Sequence, residues 1–169
     1  QWINRKRMAT KTMNTAFTQS NILLVEDTPA LARTYMAFLK EEPYQITHVE
    51  SGEAALKSAV KQQPDVIMMD LRLPGISGIE TLRKLREQGC EAPAITLTAH
   101  GSVTVAVEAM QAGAVDFLLK PFNAERLKVT LANALKNGQL TAQIKAYEKA
   151  QPKGKFQGII GQCLPMQAV

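Results

Sequence analysis

Residues 66–71 read Val-Ile-Met-Met-Asp-Leu, four apolar residues followed at once by a carboxylate. An earlier stretch, residues 22–27, repeats the arrangement as Ile-Leu-Leu-Val-Glu-Asp. A continuous apolar run bounded by polar residues is typical of a strand that is covered on both faces of a parallel sheet. The two stretches therefore predict a parallel sheet in which two strands end in acidic residues.

Around these two strands, short apolar runs alternate with stretches of helical periodicity, which is the pattern of repeated βα units. Five strands are predicted, at residues 22–25, 45–49, 66–69, 94–97 and 117–119. Right-handed crossovers between parallel strands then give an α/β fold, a doubly wound five-stranded parallel sheet with five helices.

The helices are predicted from caps and from apolar residues at helical spacing. Thr28 can cap the first helix, with Pro29 at its first position. The next three helices are predicted at residues 52–62, 78–88 and 102–112, and in the last of these Val103, Ala106, Val107 and Met110 recur at helical spacing on one face. The fifth helix begins near residue 124 and is expected to continue to about residue 150.

Charge is distributed unevenly along the chain. The net charge is +5, but residues 1–20 hold four basic and no acidic residues, and residues 136–155 hold five lysines and one glutamate. Residues 21–135 contain 11 Lys/Arg and 14 Asp/Glu, a net charge of −3. A folded domain that binds DNA phosphates usually has a positive net charge. The positive charge of the whole chain therefore does not predict a DNA-binding domain at residues 21–135.

The domain organisation follows from these patterns. A disordered leader, partly vector-derived, is expected at residues 1–20, the βα domain at 21–137, a helical extension and linker at 138–155, and the start of a second domain at 156–169. No run of about 18 apolar residues predicts a membrane span. Cys90 and Cys163 are isolated thiols, which favours a reducing compartment. We expect a cytoplasmic protein without membrane contact.

Polar residues stand at the ends of four predicted strands. Glu26 and Asp27 follow the first strand, Asp70 the third, Thr98 the fourth and Lys120 the fifth. The carboxyl ends of the strands are where doubly wound sheets bind ligands, so these side chains are expected at one edge. Any one of them alone could be a solvated or capping residue. Their coincidence favours a site.

The chemistry of this set suits phosphoryl transfer. Three carboxylates that lie close together need a cation, and an all-oxygen set favours Mg²⁺. A metal ion, a lysine and a hydroxyl converging on one point stabilise the charge on a transferring phosphoryl group. In this interpretation the carboxylate of Asp70 is the nucleophile.

The same combination resembles the response-regulator receiver domains of two-component signalling, over about residues 21–135. That family has acids after the first strand, Asp after the third, Ser or Thr after the fourth and Lys-Pro after the fifth. The resemblance implies that Asp70 accepts a phosphoryl group from a histidine phosphotransfer protein or a sensor histidine kinase. Lys120 and Thr98 would contact the acyl phosphate.

The resemblance also implies a metal site and a switch. Mg²⁺ would be bound by the side chains of Glu26, Asp27 and Asp70 and by the backbone carbonyl of Arg72, although the family more often has Asp where Glu26 stands. Phe117 would be the switch aromatic, turning inward as the phosphate draws Thr98 in. The Lys120–Pro121 bond is expected to be cis.

Longer stretches narrow the resemblance to NtrC-type sigma-54-dependent activators, and within them to quorum-sensing regulators. These stretches are DLRLPGISG at 70–78, LTAHGSVTVAVEAMQAGAVDFLLKPF at 97–122 and FQGIIGQCLPMQAV at 156–169, the last resembling the start of an AAA+ ATPase domain. A full-length protein would contact sigma-54 RNA polymerase, ATP and DNA, and would form a homodimer through the last helix. This chain has no Walker A motif or DNA-reading helix, so it is expected to do none of this binding.

The sequence has three alternatives to a receiver domain that is phosphorylated. An aspartate-dependent phosphatase would have a second acid two residues after Asp70, where Arg72 stands. A Rossmann domain would have GxGxxG after the first strand, where Glu26-Asp27-Thr28-Pro29 stands instead. A receiver that binds partners without being phosphorylated stays open. The chain is expected not to be an enzyme beyond its own phosphorylation and dephosphorylation.

Overall fold

The computed structural model describes residues 19–150, excluding the side chains of residues 141, 142 and 145–150. The expectations for most of the leader, for the end of the linker and for the start of an ATPase domain lie outside the described residues. In the described part, strands and helices alternate along the chain: β1 Ser20–Val25, α1 Pro29–Phe38, β2 Tyr44–Val49, α2 Gly52–Lys61, β3 Val66–Asp70, α3 Gly78–Glu87, β4 Ala94–Thr98, α4 Val103–Gln111, β5 Ala114–Leu119 and α5 Ala124–Ala150.

The five strands form one parallel sheet in the order β2-β1-β3-β4-β5. The chain runs outward from β1 to β2 and then crosses over to β3 on the other side, so β1 and β3 are neighbours at the point where the order reverses. Val25 pairs with Met69, and Asp70 pairs with Leu97 of β4. The strand ends that carry the predicted site residues therefore share one edge, and the predicted doubly wound fold is confirmed.

Two apolar layers cover the sheet, one on each face. Alternate residues of β1 and β3 point to opposite layers, so that Leu24 and Met68 pack with α1 and α5, whereas Leu23 and Met69 pack with α2, α3 and α4. Each buried leucine or methionine contributes about 2 kcal/mol through the apolar surface it removes from water. Because both faces of the central strands are covered by apolar side chains, a shift in register would expose them, so the register beneath the site is fixed.

Helix α4 forms as predicted, but the larger apolar residues that recur at helical spacing along it are not its buried face. Val103 is 80% exposed, and Val107 and Met110 are about half exposed, whereas Ala109 is buried. The helix lies beside β5 at the edge of the sheet, where it packs through small residues and leaves its larger ones in solvent. We call the exposed apolar side chains of these two elements the α4–β5 surface: Val103, Val107, Met110, Val115, Phe117 and Leu119.

Strand β5 begins three residues earlier than predicted. Ala114 and Leu118 are buried, but the intervening positions are partly or fully exposed, because this strand is at the edge of the sheet. The strand therefore lacks the continuous apolar run that identified β1 and β3.

Among residues 19–150, none of the helices combines the length and the hydropathy needed to cross a membrane.

Candidate functional site

Three carboxylates converge at the carboxyl edge of the sheet, as the sequence predicted. Glu26 and Asp27 follow β1, and Asp70 is the last residue of β3, the neighbouring strand. One carboxylate oxygen from each of the three lies within 4.8 Å of the others. Glu26 and Asp70 are buried, whereas Asp27 is exposed. The strand register thus builds an acidic cluster that opens to solvent on the Asp27 side.

Lys120 ties two of these carboxylates together. Its Nζ donates hydrogen bonds of 2.8 Å to Glu26 Oε2 and 2.8 Å to Asp70 Oδ2. Burial alone would lower the pKa of the Lys120 ammonium, but the hydrogen bonds to Asp70 and Glu26 outweigh it and raise that pKa. The lysine therefore stays charged between the two acids. The peptide bond from Lys120 to Pro121 is cis, as predicted.

Glu26 is the most buried of the three acids, with no exposed surface. Burial raises the pKa of its carboxyl group to about 7, and the negative charge of Asp70 acts in the same direction, against the hydrogen bond from Lys120. The backbone N–H of Thr28 also donates to Glu26 Oε1, at 3.3 Å. Thr28 precedes α1 as predicted, but its hydroxyl makes no capping hydrogen bond.

Asp70 has both carboxylate oxygens engaged. Oδ2 accepts from Lys120, and Oδ1 accepts a 2.9 Å hydrogen bond from the backbone N–H of Arg72. The β3–α3 loop closes tightly over the strand end, because a Cβ at Gly78 would overlap the Asp70 carbonyl oxygen. The carboxylate is thus fixed in orientation by two donors, one to each of its oxygens.

Thr98 ends β4 one residue beyond the partner of Asp70 in the sheet. Its hydroxyl donates to the carbonyl of His100 at 3.0 Å and accepts from the N–H of His100 at 3.1 Å. The Lys120 backbone N–H donates to the Thr98 carbonyl at 2.8 Å. Thr98 therefore lies at the predicted edge, with its hydroxyl bonded to the β4–α4 loop.

Phe117 does not join the acidic cluster. It lies on β5 with 39% of its surface exposed, as part of the α4–β5 surface. A narrow crevice under the β4–α4 loop is lined by Thr98, His100, Ala106 and Phe117, among others. The phenyl ring is thus a neighbour of the loop that holds the Thr98 hydroxyl.

Sequence patterns missed one contact beside the cluster. Tyr35 of α1 stacks on Phe122, two residues after Lys120, with ring centroids 4.8 Å apart and ring planes 24° apart. In the sequence, Tyr35 is one apolar position of an amphipathic helix, and only the tertiary fold places it opposite Phe122.

The arrangement combines an oriented carboxylate with groups that can stabilise negative charge. When all are ionised, the three acids and Lys120 leave a net charge of −2, which a divalent cation would balance. The oxygen-only donor set fits Mg²⁺. With Lys120 and a bound divalent cation to balance its charge, the oriented Asp70 carboxylate would be able to attack an electrophile that carries negative charge.

Known proteins share this architecture. Residues 22–132 match the model of the response regulator receiver domain. The regulatory protein LuxO of Vibrio cholerae is 40% identical over 147 residues, which cover 86% of this chain and 31% of that protein. The alginate biosynthesis transcriptional regulatory protein AlgB of Pseudomonas aeruginosa is 38% identical, over 77% of this chain and 29% of that protein. The chain thus spans about a third of the length of these curated relatives.

A solved structure agrees with these relatives. The signal receiver domain of a LuxO-type repressor protein from Vibrio parahaemolyticus is 42% identical and superposes with a TM-score of 0.71, covering 75% of this chain and 97% of that one. The resemblance to NtrC-type and quorum-sensing regulators is confirmed. A receiver domain is a signalling module and not a catalytic domain. From the matched residues, the strand order and the acidic cluster, the chain belongs to the response-regulator receiver domain family.

Proposed function

We propose that this chain is the phosphorylation-controlled input domain of a two-component response regulator, with Asp70 as the phospho-acceptor. The observation that carries the proposal is the double anchoring of the Asp70 carboxylate, by Lys120 Nζ at 2.8 Å and by the Arg72 N–H at 2.9 Å. Both hydrogen bonds are already formed in the unphosphorylated chain. The nucleophilic carboxylate therefore needs little reorganisation when a phosphoryl group arrives. The donor would be a histidine phosphotransfer protein or a sensor histidine kinase.

In the proposed step, a carboxylate oxygen of Asp70 attacks phosphorus and forms a P–O bond. The P–N bond to the donor histidine breaks, and the imidazole leaves with the electron pair and takes up a proton. The Lys120 ammonium then shifts its hydrogen bond from the Asp70 carboxylate to the phosphoryl oxygens, because the negative charge is now on them. The Thr98 hydroxyl donates a second hydrogen bond to these oxygens. Thr98 must first release the carbonyl of His100, to which it is now bonded.

Mg²⁺ is the proposed cofactor. The side chains of Glu26, Asp27 and Asp70 and the backbone carbonyl of Arg72 would hold it, and the spacing of the three acids supports this assignment. When bound, the ion neutralises charge on the carboxylates and on the incoming phosphoryl oxygens. The exposed position of Asp27 leaves the cluster open to a hydrated cation from solvent.

We propose that Phe117 is the switch residue that carries the signal to the α4–β5 surface. Release of the Thr98 hydroxyl from His100 would move the β4–α4 loop, which shares a crevice with the phenyl ring. An inward turn of this ring would change the shape of a surface that is largely apolar and open to a partner.

The full-length protein is proposed to be a sigma-54-dependent activator, possessing an AAA+ ATPase domain from residue 156 onward and a DNA-binding domain. The similarity to LuxO and AlgB, two longer regulatory proteins that match most of this chain, supports this proposal. A homodimer through α5 is part of the proposal, because this 27-residue helix exposes Leu140 and Ile144 beyond the sheet. In a quorum-sensing pathway, phosphorylation of Asp70 would control the downstream ATPase.

Acetyl phosphate with Mg²⁺ tests the proposal. Intact mass spectrometry is expected to show one added phosphoryl group on the parent chain and none on Asp70→Asn, which keeps the shape of the side chain but lacks the nucleophilic carboxylate. The adduct should be removed by hydroxylamine, as an acyl phosphate is. Glu87→Gln, an exposed carboxylate on α3, is the matched control and should be modified as the parent is.

A phosphorylation-independent protein-binding module is the second candidate. The exposed α4–β5 surface favours it, because this surface needs no phosphoryl group in order to be apolar. If the parent chain binds Mg²⁺ but no donor modifies it, this second function replaces the first.

A further inference from the structure

Lys120 has a long, flexible side chain, and two fixed carboxylates alone do not determine where its backbone lies. The segment from Lys120 to Asn123 connects β5 to α5. At one end, the Lys120 N–H donates to the Thr98 carbonyl at 2.8 Å. At the other end, Asn123 caps α5 through its Oδ1, which accepts from the Arg126 N–H at 2.8 Å. Both ends of the segment are thus held by hydrogen bonds.

The middle of the segment is held by an aromatic contact instead. Phe122 is partly buried against the core layer of α1 and α5, and its ring stacks on Tyr35 at a centroid distance of 4.8 Å. Tyr35 is itself only 4% exposed. A buried aromatic pair of this kind contributes about 1 kcal/mol beyond the area that it buries. The stack therefore fixes α1 to the segment that carries Lys120.

Tyr35 also lies close to the charged groups. Burial is the main reason why the pKa of its hydroxyl is raised. The charge of Lys120 and hydrogen bonding to Lys120 lower this pKa, and the negative charges of Glu26 and Asp70 raise it. The phenol therefore lies within electrostatic range of all three groups. Tyr44 offers the contrast: it is half-buried at the border of the same core layer, and the one charge that shifts its pKa is that of Glu42.

We propose that Tyr35 is a positioning residue for phosphorylation: its ring, stacked on Phe122, holds the Lys120 segment so that the ammonium lies between Glu26 and Asp70. Tyr35 acts through Lys120 and touches no phosphoryl oxygen itself. The inference rests on the proposed function, because the placement of Lys120 matters most when Asp70 receives a phosphoryl group.

The first test compares phosphorylation rates with acetyl phosphate and Mg²⁺ in three variants. Tyr35→Leu keeps an apolar side chain but removes the ring, and it is expected to slow phosphorylation of Asp70 about tenfold. Tyr35→Phe keeps the stack and should stay within about threefold of the parent chain. Tyr44→Leu, the matched control, should react at the parent rate. Equal rates for folded Tyr35→Leu and the parent chain would overturn the proposal.

The second test asks whether Tyr35 acts through Lys120. In a Lys120→Met background, Tyr35→Leu is expected to cause no further loss of rate, because the group that it positions is absent. A tenfold loss in both backgrounds would show an independent effect and overturn the proposal. If Tyr35→Leu does not fold, Phe122→Leu removes the other ring of the stack and should give the same result.

A third measurement does not depend on phosphorylation. The NMR chemical shifts of the Lys120 Cε methylene group should change in Tyr35→Leu and stay as in the parent chain in Tyr44→Leu. If acetyl phosphate does not modify the parent chain, the proposed function fails, and these shifts still decide whether Tyr35 positions Lys120. Unchanged shifts in Tyr35→Leu would contradict the positioning role.

Discussion

The acidic cluster and the α4–β5 surface are built in opposite ways. In the cluster, Glu26 and Asp70 are buried and share the Lys120 ammonium through two hydrogen bonds of 2.8 Å. On the α4–β5 surface, apolar side chains stand in solvent, and Val103 is 80% exposed. The cluster responds strongly to any change of charge, whereas the surface can be rearranged at little cost in free energy.

This difference suits a switch. Among the side chains that the structure describes, every buried nitrogen or oxygen has a hydrogen-bond partner, so a phosphoryl group that enters the cluster must replace existing bonds. Thr98 connects the two regions, because its hydroxyl is bonded within the loop that leads into α4. A change in charge at the cluster can thus become a change in shape at the surface.

Removing the ammonium from the cluster should have the largest effect. Lys120→Met leaves two buried carboxylates without their cation, so the free energy of unfolding at pH 8 should fall by about 3 kcal/mol. Phosphorylation by acetyl phosphate should slow about 100-fold. Lys128→Met is the control, because Lys128 lies 3.7 Å from Glu42 on the surface, and a surface pair contributes less than about 1 kcal/mol. Similar losses in the two variants, measured by urea unfolding, would contradict the account.

The buried glutamate should make stability depend on pH. Its pKa is about 7 in the folded chain against an ordinary 4.5, so the folded state binds more protons than the unfolded state between these values. Without divalent ions, the free energy of unfolding should therefore fall, by roughly 1–3 kcal/mol, as pH rises from about 4.5 to about 7. Glu26→Gln should remove most of this fall in urea titrations, and Glu87→Gln should not. A slope that Glu26→Gln leaves unchanged would refute the assignment.

Cation binding should have a smaller effect on stability. Millimolar Mg²⁺ should raise the free energy of unfolding of the parent chain by about 1 kcal/mol, because the ion binds the folded cluster alone. Asp27→Ala should abolish this gain and change stability without Mg²⁺ by less than about 0.5 kcal/mol, since Asp27 is exposed. Thermal unfolding with and without Mg²⁺ measures both quantities. A gain that survives in Asp27→Ala would place the ion elsewhere.

The α4–β5 surface should tolerate polar substitution best. Val103→Ser is expected to change the free energy of unfolding by less than about 0.5 kcal/mol and to leave phosphorylation of Asp70 at the parent rate. Leu82→Ala, in the buried layer of α3, should cost about 2–5 kcal/mol by comparison. A large loss of stability in Val103→Ser, measured by urea unfolding, would mean that this surface belongs to the core.

The sequence predicted best where one physical cause determined the pattern. Strands β1 and β3 are covered on both faces, and their apolar runs located them to within two residues. Strand β5 and helix α4 lie at the edge of the sheet, where burial alternates or is carried by small residues such as Ala109. Several apolar side chains of these two elements are exposed. The periodicity of apolar residues in the sequence cannot distinguish an exposed apolar face from a buried one.

For the site, the sequence predicted which residues meet but not how they are bonded. Glu26 and Asp27 are adjacent carboxylates in the sequence, yet one is fully buried and the other exposed. That difference, and the raised pKa of Glu26, depend on the packing of neighbouring strands. The stacking of Tyr35 on Phe122 joins residues that are 87 positions apart in the sequence. No local sequence pattern predicts a contact of this kind.

Identification of the modified residue tests the central claim most directly. After reaction with acetyl phosphate and Mg²⁺, borohydride reduces an aspartyl phosphate to homoserine, and peptide mapping locates it. Homoserine at position 70, with none at position 27, is the result that we expect. Modification of Asp27 or Glu26 instead of Asp70, or no reduced residue in a chain that binds Mg²⁺, would contradict the assignment of Asp70 as the phospho-acceptor.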